Sequence, residues 1–184
     1  MRLFFGLTLA HQEKLAIVNW QEKAMPASTH KVAASNYHLT TAFLGEVNER
    51  QLDLLQSLVA ESELVAPFSV TLDCQGYFQR AKVSWIGPQH CPAPLQQLSE
   101  LCFQFARQSG IGCQQGEFVP HVTLQRNCKV PPPAALLTPD ICISVTKLTL
   151  FESVSTHNGV RYQIVNQWPL PLPLNPRKRE IGRN

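Results

Sequence analysis

The feature that most restricts the fold of this chain is a short pattern that occurs twice. His38-Leu39-Thr40 and His121-Val122-Thr123 each place a histidine two residues before a threonine, among apolar and β-prone neighbours. Side chains two residues apart in a β-strand point to the same face, so each pattern pairs an imidazole with a hydroxyl. The patterns lie in different halves of the 184-residue chain. The sequence therefore predicts two similar halves that each supply one histidine–threonine pair to a shared site.

The composition is that of one globular domain or of two small fused lobes. Hydrophobic residues make up 44% of the chain and the formal net charge is +3, which permits a polyanionic ligand without requiring one. The six cysteines form no C-x-x-C pair, which favours reduced thiols in a cytoplasmic protein. Arg2 and the apolar run after it are interpreted as a first strand rather than a signal peptide. No segment approaches the roughly 20 apolar residues that span a membrane.

Hydrophobic periodicity and turn signals predict an alternation of strands and helices. The predicted strands are 2–9, 37–44, 67–78, 82–86, 119–126, 141–152 and 160–166, and two of the predicted helices are 11–24 and about 94–109. Asn48, followed three residues later by Gln51, predicts a capping box at the start of a further helix. Gly110 is interpreted as the end of the last helix. Residues 1–169 are interpreted as a single bilobal domain, and the proline-rich, basic residues 170–184 as a flexible tail.

Two facing imidazoles can divide acid–base chemistry at a phosphodiester between them. An unperturbed imidazole has a pKa near about 6.5, so one histidine can take a proton from water while the other donates one to the departing ribose oxygen. The hydroxyls of Thr40 and Thr123 can hydrogen-bond the non-bridging phosphate oxygens. Strict alternation adds Gln125 to the face of His121. Because no carboxylate neighbours either motif at ligand spacing, the sequence favours a reaction without a metal or other cofactor.

The segments HLTTAFLG, which begins at His38, and FVPHVTLQR, which ends at Arg126, resemble the paired HxTx signatures of the two-histidine (2H) phosphoesterases. More narrowly, the chain is similar to the bacterial RNA 2′,3′-cyclic phosphodiesterases, also known as 2′–5′ RNA ligases. The segments RLFFGL and KVSWIG and three consecutive prolines extend the similarity over about residues 2–168. The resemblance implies an α/β (α+β) bilobal fold. In that fold two antiparallel β-sheets, related by a pseudo-twofold, face each other across a central cleft with helices outside.

The resemblance also implies a reaction, the hydrolysis of a 2′,3′-cyclic phosphate at an RNA end to a 2′-phosphate without a metal. It assigns His38 as the proton donor to the leaving 3′ oxygen and His121 as the proton acceptor that activates water. Thr40 and Thr123 bind the phosphate in this interpretation. Arg126 matches the arginine of the family's HxTLxR pattern and reaches the cleft only if its strand bends or ends there. A 5′-hydroxyl RNA end in place of water would give a 2′–5′ linkage without ATP.

Other functions remain open on the sequence. The same site could act on a small cyclic nucleotide or a nucleotide-sugar cyclic phosphate, and a non-catalytic RNA-binding module is a further alternative. The expected partner is RNA with a 2′,3′-cyclic phosphate end, with tRNA fragments as one candidate. A monomer with no membrane or metal partner is expected. Four aromatic residues could stack on bases, although a core position is the favoured interpretation for each: Phe5, Phe43, Phe78 and Trp85.

Overall fold

The computed structural model describes residues 1–26, 28, 31–114, 116–157 and 159–172. It confirms the α+β fold with antiparallel sheets. The strands are β1 Arg2–Thr8, β2 His38–Glu46, β3 Phe68–Leu72, β4 Cys74–Phe78, β5 Val83–Gly87, β6 Val122–Gln125, β7 Ile141–Val145, β8 Lys147–Thr156 and β9 Gly159–Pro169. The helices are α1 His11–Ala24, α2 Glu49–Glu61 and α3 Ala93–Gln108, and a short 3-10 turn, Ala34–Asn36, precedes β2.

The larger sheet joins strands from both halves of the chain. Its order is β4-β5-β6-β2-β1-β8-β9, and β3 and β7 form a separate pair. Within the described residues, β2 and β6 are in register at one antiparallel pair, Leu39 with Val122. We call this pair the Leu39–Val122 joint. The half-sheets β4-β5-β6 and β2-β1-β8-β9 meet there, so the two motif strands are neighbours at the centre of the molecule.

The strands at the joint bury one face and leave the other open. The side chains of Leu39 and Val122 are fully buried, and α3 packs beneath β2 on this side. The Ser99 hydroxyl donates a hydrogen bond to the Thr41 carbonyl at 2.7 Å, and the Cys102 thiol lies 3.4 Å from the Thr41 hydroxyl. Since alternate residues point to opposite faces, the histidines and threonines of the motifs lie on the open face.

The predicted start of α2 and the predicted end of α3 are confirmed. The Asn48 side chain accepts a hydrogen bond from the Gln51 backbone at 2.9 Å, and the Gln51 side chain accepts one from the Asn48 backbone at 3.1 Å. This reciprocal pair is a capping box. Gly110 follows α3 with φ +70°, and the Ile111 N–H donates to the Ala106 carbonyl at 2.9 Å. A left-handed residue that closes a helix in this way favours glycine.

Two predictions of uninterrupted strands are wrong. The predicted strand 67–78 changes sheet at Asp73, because β3 pairs with β7 whereas β4 pairs with β5. The Asp73 carboxylate accepts a hydrogen bond from the Gln89 backbone at 2.6 Å and holds this change of direction. The predicted strand 141–152 divides in the same way at Thr146, between β7 and β8. Both interruptions separate the small sheet from the large one.

The described chain ends just beyond the last strand. Leu170 is buried, and its N–H donates to the Thr146 carbonyl at 2.8 Å, so packing continues to this residue. Residues 173–184, most of the segment interpreted as a tail, lie outside the described residues. None of the six cysteines forms a disulfide. No helix in the described part of the chain is long and apolar enough to cross a membrane.

Candidate active site

The four side chains of the two motifs come together on the open face. Antiparallel pairing at the Leu39–Val122 joint sets His38 opposite Thr123 and Thr40 opposite His121. All four side chains are half-buried, whereas the joint residues between them are fully buried. The structure therefore places two imidazoles and two hydroxyls on neighbouring strands, each histidine across from the threonine of the other motif.

Both imidazoles are held by a backbone carbonyl two residues earlier in the chain. Nδ1 of His38 lies 2.6 Å from the Asn36 carbonyl oxygen, and Nδ1 of His121 lies 2.7 Å from the Val119 carbonyl oxygen. A carbonyl only accepts, so Nδ1 carries the proton in each ring and Nε2 of the neutral ring has a free lone pair. The two halves thus present the same nitrogen atom for chemistry.

Aromatic rings surround His38. The ring centroids of Phe4, Phe151 and Tyr162 lie 5.0, 5.7 and 4.6 Å from that of the imidazole. These residues come from β1, β8 and β9, the strands that continue the sheet beyond β2. The Asn36 side chain donates to the Val160 carbonyl on β9 at 2.9 Å, which fixes the turn whose carbonyl holds His38.

His121 has a similar but thinner aromatic environment. The Phe78 ring packs edge-on against it with centroids 4.9 Å apart, and the Trp85 ring lies at 6.0 Å. Phe78 belongs to β4 and Trp85 to β5, the strands that continue the sheet beyond β6. Rings of this kind remove water from the imidazoles, which disfavours the charged form.

The pKa values of both histidines are lowered as a result. Burial lowers the pKa of His38 to about 4, the Asn36 carbonyl opposes this, and the positive charges of Arg126, His121 and Lys14 lower the pKa further. Burial also lowers the pKa of His121, and Arg126 adds to that effect. Without a ligand both imidazoles are therefore neutral at pH 7. An anion bound between them would favour the imidazolium form.

A β-bulge follows each motif at the same position. In β2, Gly6 pairs with Thr40 and Phe5 with Ala42, so Thr41 is the extra residue. In β6, Trp85 pairs with Thr123 and Ser84 with Gln125, so the residue after Thr123 is extra. A bulge reverses the alternation of side chains beyond it.

The bulges correct two sequence-based predictions. Gln125 was predicted on the face of His121, but it pairs with the buried Ser84 and is itself buried. Phe43 was predicted in the core, but its side chain is 64% exposed and pairs with Phe4 on the side of the histidines. Phe5 is in the core as predicted, while Phe78 and Trp85 are half-buried beside His121.

Two cations act on the imidazoles. Arg126 follows the end of β6, and its charge influences both His38 and His121. Lys14 on α1 influences His38, and its ammonium group donates to the Ser35 carbonyl at 3.2 Å. Together they give the His38 side of the open face a positive character, suited to phosphate groups.

Sequence reasoning missed several of these residues. Phe4, Phe151 and Tyr162 reach His38 only because β1, β8 and β9 stack beside β2, and no local pattern marks that order. The Asn36 and Val119 carbonyls act through the backbone, so their side-chain types carry no signal. Lys14 sits in the first turns of a helix and looks like an ordinary surface residue.

We expect Gly76→Ala to lower the free energy of unfolding by about 1–3 kcal/mol, as overpacking typically does. Gly76 pairs with Trp85, and a Cβ added there would overlap the indole ring. Urea denaturation measures the effect. Gly112→Ala is the matched control, because a Cβ at Gly112 meets no atom within 4 Å. Equal stability losses in the two variants would contradict the tight contact.

The residues near the histidines are poor candidates for a metal centre. Across the described ranges, no group of three or more His, Cys, Asp or Glu side chains is placed to hold a metal ion. The site is instead built from imidazole, hydroxyl and guanidinium groups. These are the groups that transfer protons and bind phosphate oxygens.

Comparison with known proteins gives one family. The model of the 2′-5′ RNA ligase superfamily matches residues 12–155. The RNA 2′,3′-cyclic phosphodiesterase of Escherichia coli (strain K12) is 33% identical over 177 residues, covering 92% of this chain and 96% of that protein. The protein of the same name from Thermotoga maritima is 27% identical over 176 residues, covering 90% and 93%.

A solved structure agrees with the sequence matches. The crystal structure of E. coli LigT complexed with 3′-AMP superposes with a TM-score of 0.82 at 32% sequence identity. The alignment covers 92% of this chain and 97% of that one. The likeness therefore extends over both half-sheets and both motif strands.

Proposed function

Because this chain belongs to the 2′-5′ RNA ligase superfamily, we propose that it is an enzyme that hydrolyses RNA 2′,3′-cyclic phosphate ends to 2′-phosphate ends, with His38 and His121 as its acid–base pair. One observation carries the assignment of the pair. The two imidazoles are held identically, with Nδ1 on a backbone carbonyl and Nε2 free, on neighbouring strands of one open face. The relatives named RNA 2′,3′-cyclic phosphodiesterase support the reaction.

The two proton transfers occur at opposite ends of the reacting phosphorus. Nε2 of His121 accepts a proton from water as the water oxygen bonds to phosphorus. Nε2–H of protonated His38 donates a proton to the 3′ oxygen as the bond between phosphorus and that oxygen breaks. The products are a 2′-phosphate and a free 3′-hydroxyl, and exchange with solvent restores both histidines. Each transfer typically contributes about 10²–10⁴-fold.

The surrounding groups stabilise charge on the phosphate. The hydroxyls of Thr40 and Thr123 donate to the non-bridging oxygens, and Arg126 supplies positive charge near both histidines. The phosphate in turn raises the lowered pKa of His38, so substrate binding itself favours the protonated acid that the reaction needs. This accounts for an acid that is neutral in the free protein.

The same two transfers serve a second reaction. If a 5′-hydroxyl RNA end replaces water, its oxygen bonds to phosphorus and gives a 2′–5′ linkage, with no need for ATP. The name of the superfamily supports this activity. RNA with a cyclic phosphate end, including tRNA fragments, is the substrate in this proposal, and the cytoplasm its location.

Product mapping tests the proposal. A short RNA with a 2′,3′-cyclic phosphate end is incubated with the protein, and the 2′- and 3′-phosphate products are separated by chromatography. A 2′-phosphate product is expected, and a 3′-phosphate would exclude the assigned leaving group. A much faster reaction with a cyclic mononucleotide than with a cyclic dinucleotide would favour a small cyclic nucleotide as the substrate.

We expect hydrolysis to continue at an unchanged rate in EDTA. The proposed steps use only imidazole, hydroxyl and guanidinium groups, so chelation removes nothing that they require. The rate is measured after dialysis against EDTA and again after adding single divalent ions. Loss of activity that one particular ion restores would contradict the metal-free mechanism.

A further inference from the structure

Positively charged side chains gather at one end of the half-sheet β4-β5-β6. Three segments of the chain meet there. Lys31 forms an isolated β-bridge with Gln125 at the end of β6. The Cys128 N–H donates to the carbonyl of Lys82, in the turn before β5, at 3.0 Å. The three segments carry five exposed cations, which we call the basic patch: Lys31, Arg80, Lys82, Arg126 and Lys129.

The charge of the basic patch is not neutralised by neighbouring carboxylates. Its segments, residues 31–38, 74–84 and 125–133, contain neither aspartate nor glutamate. No carboxylate in the described part of the chain forms an ion pair with the patch. Cations of one sign gathered on a surface attract polyanions, and a nucleic acid strand is such a polyanion.

The basic patch begins at the histidines and extends away from them. Arg126 is its inner member, because its charge acts on both His38 and His121. Lys82 lies further out, three residues before Trp85, which pairs with Thr123. Three residues of extended strand span roughly 10 Å. The outer cations are therefore placed for phosphate groups other than the one that reacts between the histidines.

The backbone of Lys82 is unusual. Its φ is +54°, and among the described residues the other non-glycine residue with a positive φ is Asn127, at +57°, on the neighbouring segment of the patch. Asparagine adopts this left-handed conformation more readily than lysine does, and glycine adopts it without a steric cost. A lysine held where glycine would fit better indicates that its side chain is used.

We propose that the basic patch binds backbone phosphates of the RNA strand that leads to the cyclic end, with Lys82 holding one of them, an inference that rests on the proposed reaction at RNA ends. Phosphate contacts fix the position of a strand and carry no direct sequence information. The patch therefore makes the protein prefer an RNA end to a cyclic mononucleotide, whatever the sequence of the RNA.

The first measurement is the affinity for RNA, which needs no turnover. Fluorescence anisotropy gives the Kd of an RNA of about ten nucleotides with a 2′-phosphate end, at about 50 and 200 mM salt. Each phosphate contact on a single strand adds about 0.7 to the salt slope, so this rise in salt should weaken wild-type binding about 2.6-fold more than binding by Lys82→Met. Lys82→Arg keeps the charge and should keep the wild-type salt dependence.

The second measurement is the dependence of the reaction on substrate length. The value of kcat/KM is compared for the same RNA with a 2′,3′-cyclic phosphate end and for a cyclic mononucleotide. Lys82→Met should lower kcat/KM on the RNA about 3- to 10-fold more than on the mononucleotide, because only the RNA has a further phosphate to lose a contact. Equal losses on the two substrates would overturn the proposal.

Two further variants serve as controls. Arg50→Met removes one exposed positive charge from the first turn of α2, outside the basic patch. If Lys82→Met and Arg50→Met have the same salt dependence and the same length preference, the proposal is overturned. Lys82→Gly relieves the left-handed backbone, so it should withstand at least as much urea as Lys82→Met and still bind RNA as weakly. Lys82→Gly binding RNA as tightly as wild type would show that the side chain is not used.

Failure of the proposed reaction is distinguishable from failure of the basic patch. Wild-type protein would in that case hydrolyse neither the RNA nor the mononucleotide, whereas anisotropy would still compare the affinities of the variants for RNA.

Discussion

Replacing either His38 or His121 by alanine is expected to lower hydrolysis of an RNA 2′,3′-cyclic phosphate at least about 10²-fold, because each variant loses one of the two proposed proton transfers. The fold-reduction in rate for the double variant should be far smaller than the product of the two single fold-reductions, since the histidines are proposed to act in one mechanism. Initial rates with a cyclic dinucleotide measure the effect. His90→Ala is the matched control, because His90 is exposed in the connection between β5 and α3 and belongs to neither motif.

The two roles can be separated with a modified substrate. A cyclic ester with sulfur in place of the bridging 3′ oxygen has a leaving group that needs little protonation. The hydrolysis rate of His38→Ala should fall much less on this ester than on the normal one. The rate of His121→Ala should fall by the same factor on both esters. The reverse pattern would exchange the two roles. If either single variant keeps more than about a tenth of wild-type activity on the normal ester, the acid–base assignment is wrong.

A second large effect is expected in the pH dependence. Burial holds the pKa of His38 at about 4 and that of His121 below its usual value. The proposed mechanism requires one protonated and one neutral imidazole, so kcat/KM, which reports the free enzyme, should be greatest below pH 6.5. Above the upper of the two pKa values it should fall about tenfold per pH unit. Because the pair is coupled, the two limbs belong to both histidines together.

The complex should behave differently from the free enzyme. The bound phosphate raises the pKa of the imidazolium, so the alkaline limb of kcat should lie at higher pH than that of kcat/KM. Lys14→Met removes a positive charge that lowers the pKa of His38, so it should shift the kcat/KM profile toward higher pH. A kcat/KM profile that climbs steadily from pH 5 to 10 would instead indicate direct hydroxide attack and remove His121 from its role.

The sequence was sufficient to pair each histidine with its threonine, because both pairs precede the first irregularity in their strands. Simple alternation failed directly afterwards, since the bulges at Thr41 and after Thr123 reverse it. A bulge depends on how the neighbouring strand pairs, and no residue type at these positions indicates one. The exposure of Phe43 and the burial of Gln125 could therefore not be predicted from alternation alone.

The environment of the histidines was less predictable than their position. His38 owes its lowered pKa to rings from β1, β8 and β9, and the last two of these strands lie far along the chain. The sheet order that collects them follows from the whole topology. In the same way, the break at Asp73 depends on β3 finding a partner in β7, more than 60 residues later. The local periodicity of the sequence does not indicate which distant strands will pair.

The Leu39–Val122 joint also determines where this protein can tolerate insertions and deletions. A single backbone pair aligns the two motifs, so a deletion or insertion of one residue next to it would turn a histidine or threonine toward the buried face. Loops distant from the joint, such as the one between α2 and β3, have no such constraint. Length variation among proteins with this architecture should therefore occur in the connections, while the motif segments of β2 and β6 keep a fixed number of residues.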